Sequence, residues 1–394
     1  MATCSDGKAS ESCSCAGFLL SNLPDDVLVE ILCRVTDRKH LTRLKSVRKS
    51  WSNLITDACV PKISASSPPQ GFIYIVKKPR NGKPHNIDYF PCPMTPGVEP
   101  GPHEFVKSYS SLLPFQPTRN DFLDCCNGLL LFVEGCTLQY YVCNPMTKHC
   151  VAIPRGSMLE NIVFASLAFD PSRSPHYRVV CFDYSLSSPP VRLHVFSSET
   201  GNWSMHETPF GYSFKNCKVV KRCIYLDGAL YCISTSKHLV CFDLNRGNSR
   251  AIRLPQWKRL DPDGFGCAGP SRGRLCYSDL IGTTFYIWFL EDHCKNDRWT
   301  LIHSISVDYL GKHQHQLDRI TISRFGKISA LRPFALHPAS DVIFFGTPRV
   351  MLSYHLQDRR FKLIYRARED RQILLGQLLV FPYTPCLVNL KHFG

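Results

Sequence analysis

Val142-Cys143-Asn144-Pro145-Met146-Thr147 runs from an apolar strand into a polar turn, and the pattern returns along the chain. It recurs at Val195-Phe196-Ser197-Ser198-Glu199-Thr200-Gly201 and at Cys241-Phe242-Asp243-Leu244-Asn245-Arg246-Gly247. Two further copies stand at Trp288-Phe289-Leu290-Glu291-Asp292 and Tyr354-His355-Leu356-Gln357-Asp358. Val142, Val195, Cys241, Trp288 and Tyr354 lie 53, 46, 47 and 66 residues apart. A second strand follows each turn, carrying Cys150, Trp203, Ile252, Trp299 or Phe361. Glycine-led strands precede three of the copies, at Gly128-Leu129-Leu130, Gly228-Ala229-Leu230 and Gly273-Arg274-Leu275. Four strands in about 45–50 residues, repeated around an axis, make a propeller blade. The 324 residues from Gly71 to Gly394 would fill six or seven such blades. A β-sandwich with long loops is the alternative, but its strands would not keep this spacing.

Outward from the repeat, the chain changes character. Short aromatic and β-branched runs separated by Gly, Pro, Asn and Asp read as strands from Gly71 onward. Pro79 to Pro117 holds nine prolines and reads as a long irregular insertion. Residues 18–60 read as helical. Pro24 suits a first helical turn, where its missing N–H costs nothing. Asp25 and Asp26 complement the positive end of the helix dipole. Val27, Leu28, Ile31, Leu32 and Val35 recur at helical spacing as one apolar stripe. Thr36-Asp37 reads as a stop and a new N-cap. Leu41 and Leu44 mark a second helix. Val47, Trp51, Leu54 and Ile55 mark a third, with Ser46 as its cap and Pro61 as its end. Residues 61–70, rich in Ser and Pro, read as a linker. Residues 1–17 have almost no large apolar side chain and are expected to be disordered. So small a helical unit cannot bury its whole stripe internally. The surplus packs either on the rest of the chain or on a partner.

Composition bounds the classes. The 394 residues are 44% hydrophobic and 20% charged, which suits a globular chain. No run of about 18 apolar residues appears, so a membrane-spanning helix is not expected. The first twenty residues lack a basic start and apolar core, and the carboxyl end lacks a lipidation motif. Twenty cysteines are about 5% of the chain, below a disulfide scaffold. Cys181, Cys232 and Cys241 sit in apolar runs, where a reduced Cys packs as a small hydrophobe. A reducing, cytoplasmic or nuclear setting is expected, in which the sequon Asn202-Trp203-Ser204 has no meaning. Formal charge is +15. Residues 1–33 carry one base against five acids, so the remainder stands at +19. The bases are scattered singly or in pairs, which favours a solvated basic surface over a nucleic-acid footprint.

Leu23-Pro24-Asp25-Asp26-Val27-Leu28-Val29-Glu30-Ile31-Leu32, with Lys45-Ser46-Val47-Arg48-Lys49-Ser50-Trp51-Ser52-Asn53-Leu54-Ile55, closely resembles an F-box. Val35-Thr36-Asp37 replaces the common Leu-Pro turn of that family, and Arg48 stands where many members have Cys. The remainder resembles the F-box-associated domain of plant F-box proteins, related to kelch propellers. Cys126-Asn127-Gly128-Leu129-Leu130, Leu167-Ala168-Phe169-Asp170-Pro171 and Tyr225-Leu226-Asp227-Gly228-Ala229-Leu230-Tyr231 carry the likeness, with the turns quoted above. The Gly-Gly pairs of kelch repeats are missing. The resemblance implies a small three-helix F-box followed by an all-β, propeller-like domain at 71–394.

Its functional implication is a substrate receptor of an SCF-type cullin–RING ubiquitin ligase. Leu23, Pro24, Val27, Leu28, Ile31, Leu32, Leu41, Leu44, Val47 and Trp51 would dock on the Skp adaptor, and through it on cullin and RING subunits. The propeller would hold a target protein at residues the sequence does not identify. Three rivals remain: an F-box scaffold that sends nothing for degradation, a basic nucleic-acid-binding propeller, and a propeller enzyme.

Signals for chemistry are weak. Gly264-Phe265-Gly266-Cys267-Ala268-Gly269 fits a dinucleotide fingerprint, but Pro270-Ser271 follows where a helix should start, so a flexible loop is expected. Cys13-Ser14-Cys15, Cys125-Cys126 and His313-Gln314-His315 do not assemble a four-ligand metal set. No nucleophile elbow appears. No catalytic residue, cofactor or metal is therefore expected. Trp257 is a candidate exposed anchor for a target, or a ring tucked against a blade edge.

Overall fold

The structure, a computed structural model, describes residues 23–35, 38–66, 69–77, 86–91, 111–118, 121–156, 164–183, 191–208, 223–255, 266–291, 297–306, 331–338, 340–347, 350–366, 372–373 and 380–393. The expected disordered tail, Trp257, His313 and His315 lie outside them. Helices come first and strands after, the order expected from the sequence. Among the described residues, no helix is long and apolar enough to cross a membrane.

Five four-stranded antiparallel meanders follow one another. The first blade holds β3 (Phe122–Cys126), β4 (Leu129–Glu134), β5 (Gln139–Asn144) and β6 (His149–Ala152). The second holds β7 (Phe164–Ala168), β8 (Arg178–Asp183), β9 (Val191–Ser197) and β10 (Asn202–Thr208). The third holds β11 (Ile224–Leu226), β12 (Ala229–Ile233), β13 (His238–Asp243) and β14 (Asn248–Arg253). The fourth holds β15 (Cys267–Ser271), β16 (Arg274–Ile281), β17 (Thr284–Glu291) and β18 (Arg298–Ser306). The fifth holds β19 (Arg332–Leu336), β20 (Val342–Thr347), β21 (Val350–His355) and β22 (Arg360–Arg366). Each of the five repeated turns joins the third strand of a blade to its fourth. The glycine-led runs are second strands. Their turns, Asn127-Gly128, Asp227-Gly228 and Arg272-Gly273, have positive φ at both positions, as a two-residue type I′ hairpin requires.

Six or seven blades are not borne out; five are built on this plan. One further sheet is built differently. β1 (Gly71–Lys77) pairs with β2 (Asn86–Pro91) on one side, and with β23 (Gln372–Ile373) and β24 (Val380–Tyr383) on the other. It is three strands across, because β23 and β24 share one edge of β1. The blades begin at Phe122, Phe164, Ile224, Cys267 and Arg332, so their spacing is uneven. Dividing the length by a mean repeat therefore overcounts. The strand β2 also lies inside the stretch expected as an irregular insertion. The expected pairing of the C-terminal strands with the chain near residue 72 is present: Phe72 faces Pro382 and Tyr74 faces Val380. Such pairing satisfies edges that would otherwise template aggregation.

Apolar side chains fill the space between neighbouring sheets. Phe285 of the fourth blade meets Phe345 of the fifth, rings 5.0 Å apart. Phe122 of the first blade meets Phe381 of β24 at 5.0 Å. Burying a Phe of this kind contributes about 1.5–3 kcal/mol. One buried carboxylate pins two blades: Asp124 accepts from Ser166 Oγ at 2.5 Å and from the Leu167 N–H at 2.8 Å.

Cysteine usage departs from the sequence reading. Cys181 and Cys241 are free and buried as expected, but Cys232 is bonded to Cys223, and Cys143 to Cys150. Cys143 and Cys150 stand directly opposite on β5 and β6, so pairing brings their sulfurs together. Gly266-Cys267-Ala268-Gly269 is not a loop. It leads into and forms β15, where a Cβ on Gly266 would lie 2.2 Å from the Ser278 carbonyl oxygen.

Candidate functional site

The first helix, α1, spans Asp25–Cys33. Pro24 is its N-cap, and the Pro24 carbonyl accepts from the Leu28 N–H at 3.0 Å. Glu30 and Arg34 form an exposed i,i+4 pair at 3.1 Å, of the sort worth about 0.3–0.5 kcal/mol. The second helix, α2, spans Arg38–Leu44. Ser46 does not cap the third helix: its hydroxyl donates to the Arg43 carbonyl at 2.6 Å and closes α2. Arg48, in extended backbone, takes the N-cap position of α3 (Lys49–Leu54).

Pro61 does not end the helical part. Beyond α3 a π-helical turn, Ile55–Cys59, leads into α4 (Val60–Ser66). The Val60 N–H reaches back five residues to the Ile55 carbonyl. This change of register places Pro61 at the start of a new helical segment, where its missing N–H is not needed. Residues 61–66 of the expected linker are thus helical.

The apolar stripe of α1 splits. Leu28, Val29 and Leu32 are buried, with Leu41, Ile55, Cys59 and Val60. They share one continuous cluster with Leu129 and Tyr140 of the first blade, Phe196 of the second, and Leu387, Val388 and Leu390 of the C-terminal segment. Burial beside Cys33 pushes the Cys59 thiol up to about 12. Leu44 and Trp51 are half-buried against the same cluster. Val27, Ile31 and Val47 face outward, 41%, 44% and 56% exposed. Pro24 is exposed and Leu23 half-buried. One side of the helix thus packs on the rest of the chain, and the other stays exposed.

The segment after β24 is irregular and forms the seat of the helices. Lys45 Nζ donates to the Leu387 carbonyl at 2.8 Å. Burial holds the Lys45 ammonium below its ordinary pKa. On the propeller side, Asn144 Nδ2 donates to the Cys386 carbonyl at 3.1 Å and the Val388 carbonyl at 2.8 Å. The Asn144 Oδ1 accepts from the Met146 N–H at 3.0 Å, the side-chain turn expected of Asn-Pro. Phe393 sets its ring edge on Phe196 at 5.1 Å. Gly128 is required twice over: its φ is +91°, and a Cβ would stand 2.3 Å from the Thr384 carbonyl oxygen.

Of the ten residues singled out for docking, Pro24, Val27 and Ile31 therefore share the outer side of α1 at helical spacing, and Val47, in the turn after α2, is exposed as well. Leu28, Leu32 and Leu41 form the inner face, with Leu44 and Trp51 at its margin. Sequence periodicity missed Val29, Lys45 and the C-terminal seat. The outer face can bury apolar surface in a complex, about 1 kcal/mol for each half-exposed side chain. It carries no nucleophile or acid–base pair. Among the described residues, no group of three or more His, Cys, Asp or Glu is placed to hold a metal ion.

Residues 102–380 match the family model described as F-box protein At3g26010-like, beta-propeller. The F-box protein At5g07610 of Arabidopsis thaliana is 25% identical over 371 residues, covering 86% of this chain and 84% of that protein. The putative F-box protein At4g09190 of the same plant is 23% identical over 336 residues, 82% of each. The F-box protein At5g49610, also of that plant, is 22% identical over 378 residues, 89% of this chain and 93% of its own length.

Proposed function

The chain belongs to the At3g26010-like β-propeller family of F-box proteins, and from that membership we propose that it is the substrate receptor of an SCF-type cullin–RING ubiquitin ligase. Its helices dock on a Skp-type adaptor, which bridges to cullin and RING subunits, and its kelch-related propeller holds a target protein. The observation that carries this reading is the outer side of α1 at Pro24, Val27 and Ile31, left exposed while the inner side is already buried on the propeller. Apolar side chains grouped on one helical face favour a partner. The chain acts as a non-catalytic subunit, in the cytoplasm or nucleus. Holding a target beside a charged conjugating enzyme raises effective concentration, and the rate follows from that.

The test is adaptor affinity measured with purified proteins. Val27→Ala with Ile31→Ala should weaken binding about 10- to 100-fold. Their melting should shift little, since surface changes away from special features stay within about 0.5 kcal/mol. Unchanged affinity in the folded double variant would sink the receptor assignment. A target whose level stays constant when the gene is deleted would favour the non-degradative scaffold.

A further inference from the structure

Between the fourth and fifth blades lies a groove of about 470 Å³. Phe289, Leu356 and Ile302 give it an apolar lining. Ile302 is 44% exposed, and its neighbour Leu301 on the outer strand β18 is exposed as well. Two guanidinium groups stand at the rim. Arg272 is held by Asp341, Nη2 to Oδ2 at 2.9 Å, and Gln357 Nε2 donates to the same oxygen at 3.1 Å. Arg274 lies over the Phe289 ring, 4.8 Å from its centroid. Among the described residues no carboxylate pairs with Arg274. His303, also lining the groove, is kept below its ordinary pKa by burial and by Arg359, so it adds no charge at neutral pH.

We propose that this groove binds a short peptide segment of a partner protein, carrying a carboxylate beside a large apolar side chain. The carboxylate pairs with Arg274, which its contact with Phe289 pre-orients. A planar guanidinium in a fixed pose suits bidentate recognition of a carboxylate. The apolar side chain covers Ile302 and Leu356. Charge complementarity selects the occupant: residues 34–394 carry +19, and the unpaired rim charge is positive.

The position in the ring supports a target site. In a meander blade, the turn joining strands one and two and the turn joining strands three and four leave the same face. Gly128 and Gly201, in such turns, meet Thr384 and Phe393 of the C-terminal segment that seats the helices. Arg272 and Gln357 occupy equivalent turns of the fourth and fifth blades. The groove therefore opens on the face that carries the helical unit. The peptide's owner is the target only if the receptor reading holds; the groove's chemistry does not depend on it.

The experiment uses the full chain without adaptor. The probe is a labelled peptide with two adjacent glutamates followed by leucine, compared with matched peptides carrying glutamine or phosphoserine. Fluorescence anisotropy should give at least about tenfold tighter binding for the glutamate peptide than for the glutamine peptide. Arg274→Gln should remove that difference, with melting and adaptor affinity unchanged. Equal binding of both peptides, or an Arg274→Gln variant that still discriminates, overturns the proposal. Binding of the phosphoserine peptide alone overturns the choice of a carboxylate. Unchanged adaptor affinity in the Val27/Ile31 double variant, which sinks the receptor reading, leaves this result untouched, so the two readings fail separately.

Discussion

The side-chain amide of Asn144 donates to the main-chain carbonyl of Val388 at 2.8 Å, across 244 residues of sequence. The bond is buried, and the same nitrogen serves the Cys386 carbonyl. One residue of the repeated turn in the first blade thus fixes the segment on which the amino-terminal helices rest.

Asn144→Ala leaves those two carbonyls without this donor and removes the turn-forming oxygen as well. Each buried polar group left unpaired costs about 1–3 kcal/mol. A loss of about 2–4 kcal/mol is expected in urea unfolding, with lower adaptor affinity because the helices lose part of their seat. Asn144→Asp should fare no better, since a carboxylate cannot donate.

The two sides of α1 should respond in opposite ways. Leu32→Ala, on the inner side, should cost about 2–5 kcal/mol of stability through its cavity. Ile31→Ala, one residue earlier, should cost adaptor affinity with stability nearly unchanged. Equal destabilisation by both would mean that the outer face packs within the chain.

His337, buried at the first turn of the fifth blade beside Phe344, has its pKa lowered to about 4 by burial and by His355. The unfolded chain protonates this imidazole near 6.5, the folded chain near 4. Between those values the unfolded state binds more protons, so stability rises with pH. It is fully present above about 6.5 and is lost as pH falls toward 4, with a limiting slope of about 1.4 kcal/mol per pH unit. His337→Gln should flatten the stability profile by that amount between pH 4 and 6.5. A profile identical to that of the unmodified protein would refute the assignment.

Ring closure predicts that ending the chain before Val380 removes β24 and exposes apolar side chains it covers, among them Phe72 and Phe122. The truncated chain should show no cooperative melt and should be cleaved throughout by trypsin. Two stable fragments from limited proteolysis of the full chain would contradict a single closed unit.

Much of this architecture was legible, and the limits are instructive. The five turns that begin near Val142, Val195, Cys241, Trp288 and Tyr354 each mark one blade, because a short third-to-fourth strand hairpin imposes a local pattern. Averaging their spacing lost that count. The closing sheet has no repeat to read, since its strands come from both ends of the chain. Periodicity found the stripe of α1 but could not divide it: Ile31 and Leu32 are consecutive, and only the arrival of Leu387 and Val388 decides which faces inward. The C-terminal seat has apolar residues like a strand, yet its carbonyls are met by Asn144 instead of a ladder. The groove draws on Arg274, Phe289, Ile302 and Gln357 from two blades, and no window of sequence contains them together.

The seat of the helices also orders events in time. Leu387 and Val388 follow the end of α1 by about 354 residues, roughly 18–71 s later at 5–20 residues per second. Throughout that interval Leu28, Val29 and Leu32 lack the C-terminal seat that completes their cluster. The outer face, which depends only on local helix formation, is available to an adaptor from the start. A nascent chain would therefore present the proposed docking surface well before its inner face is sheltered, and early capture by a partner would cover that outer side during the wait.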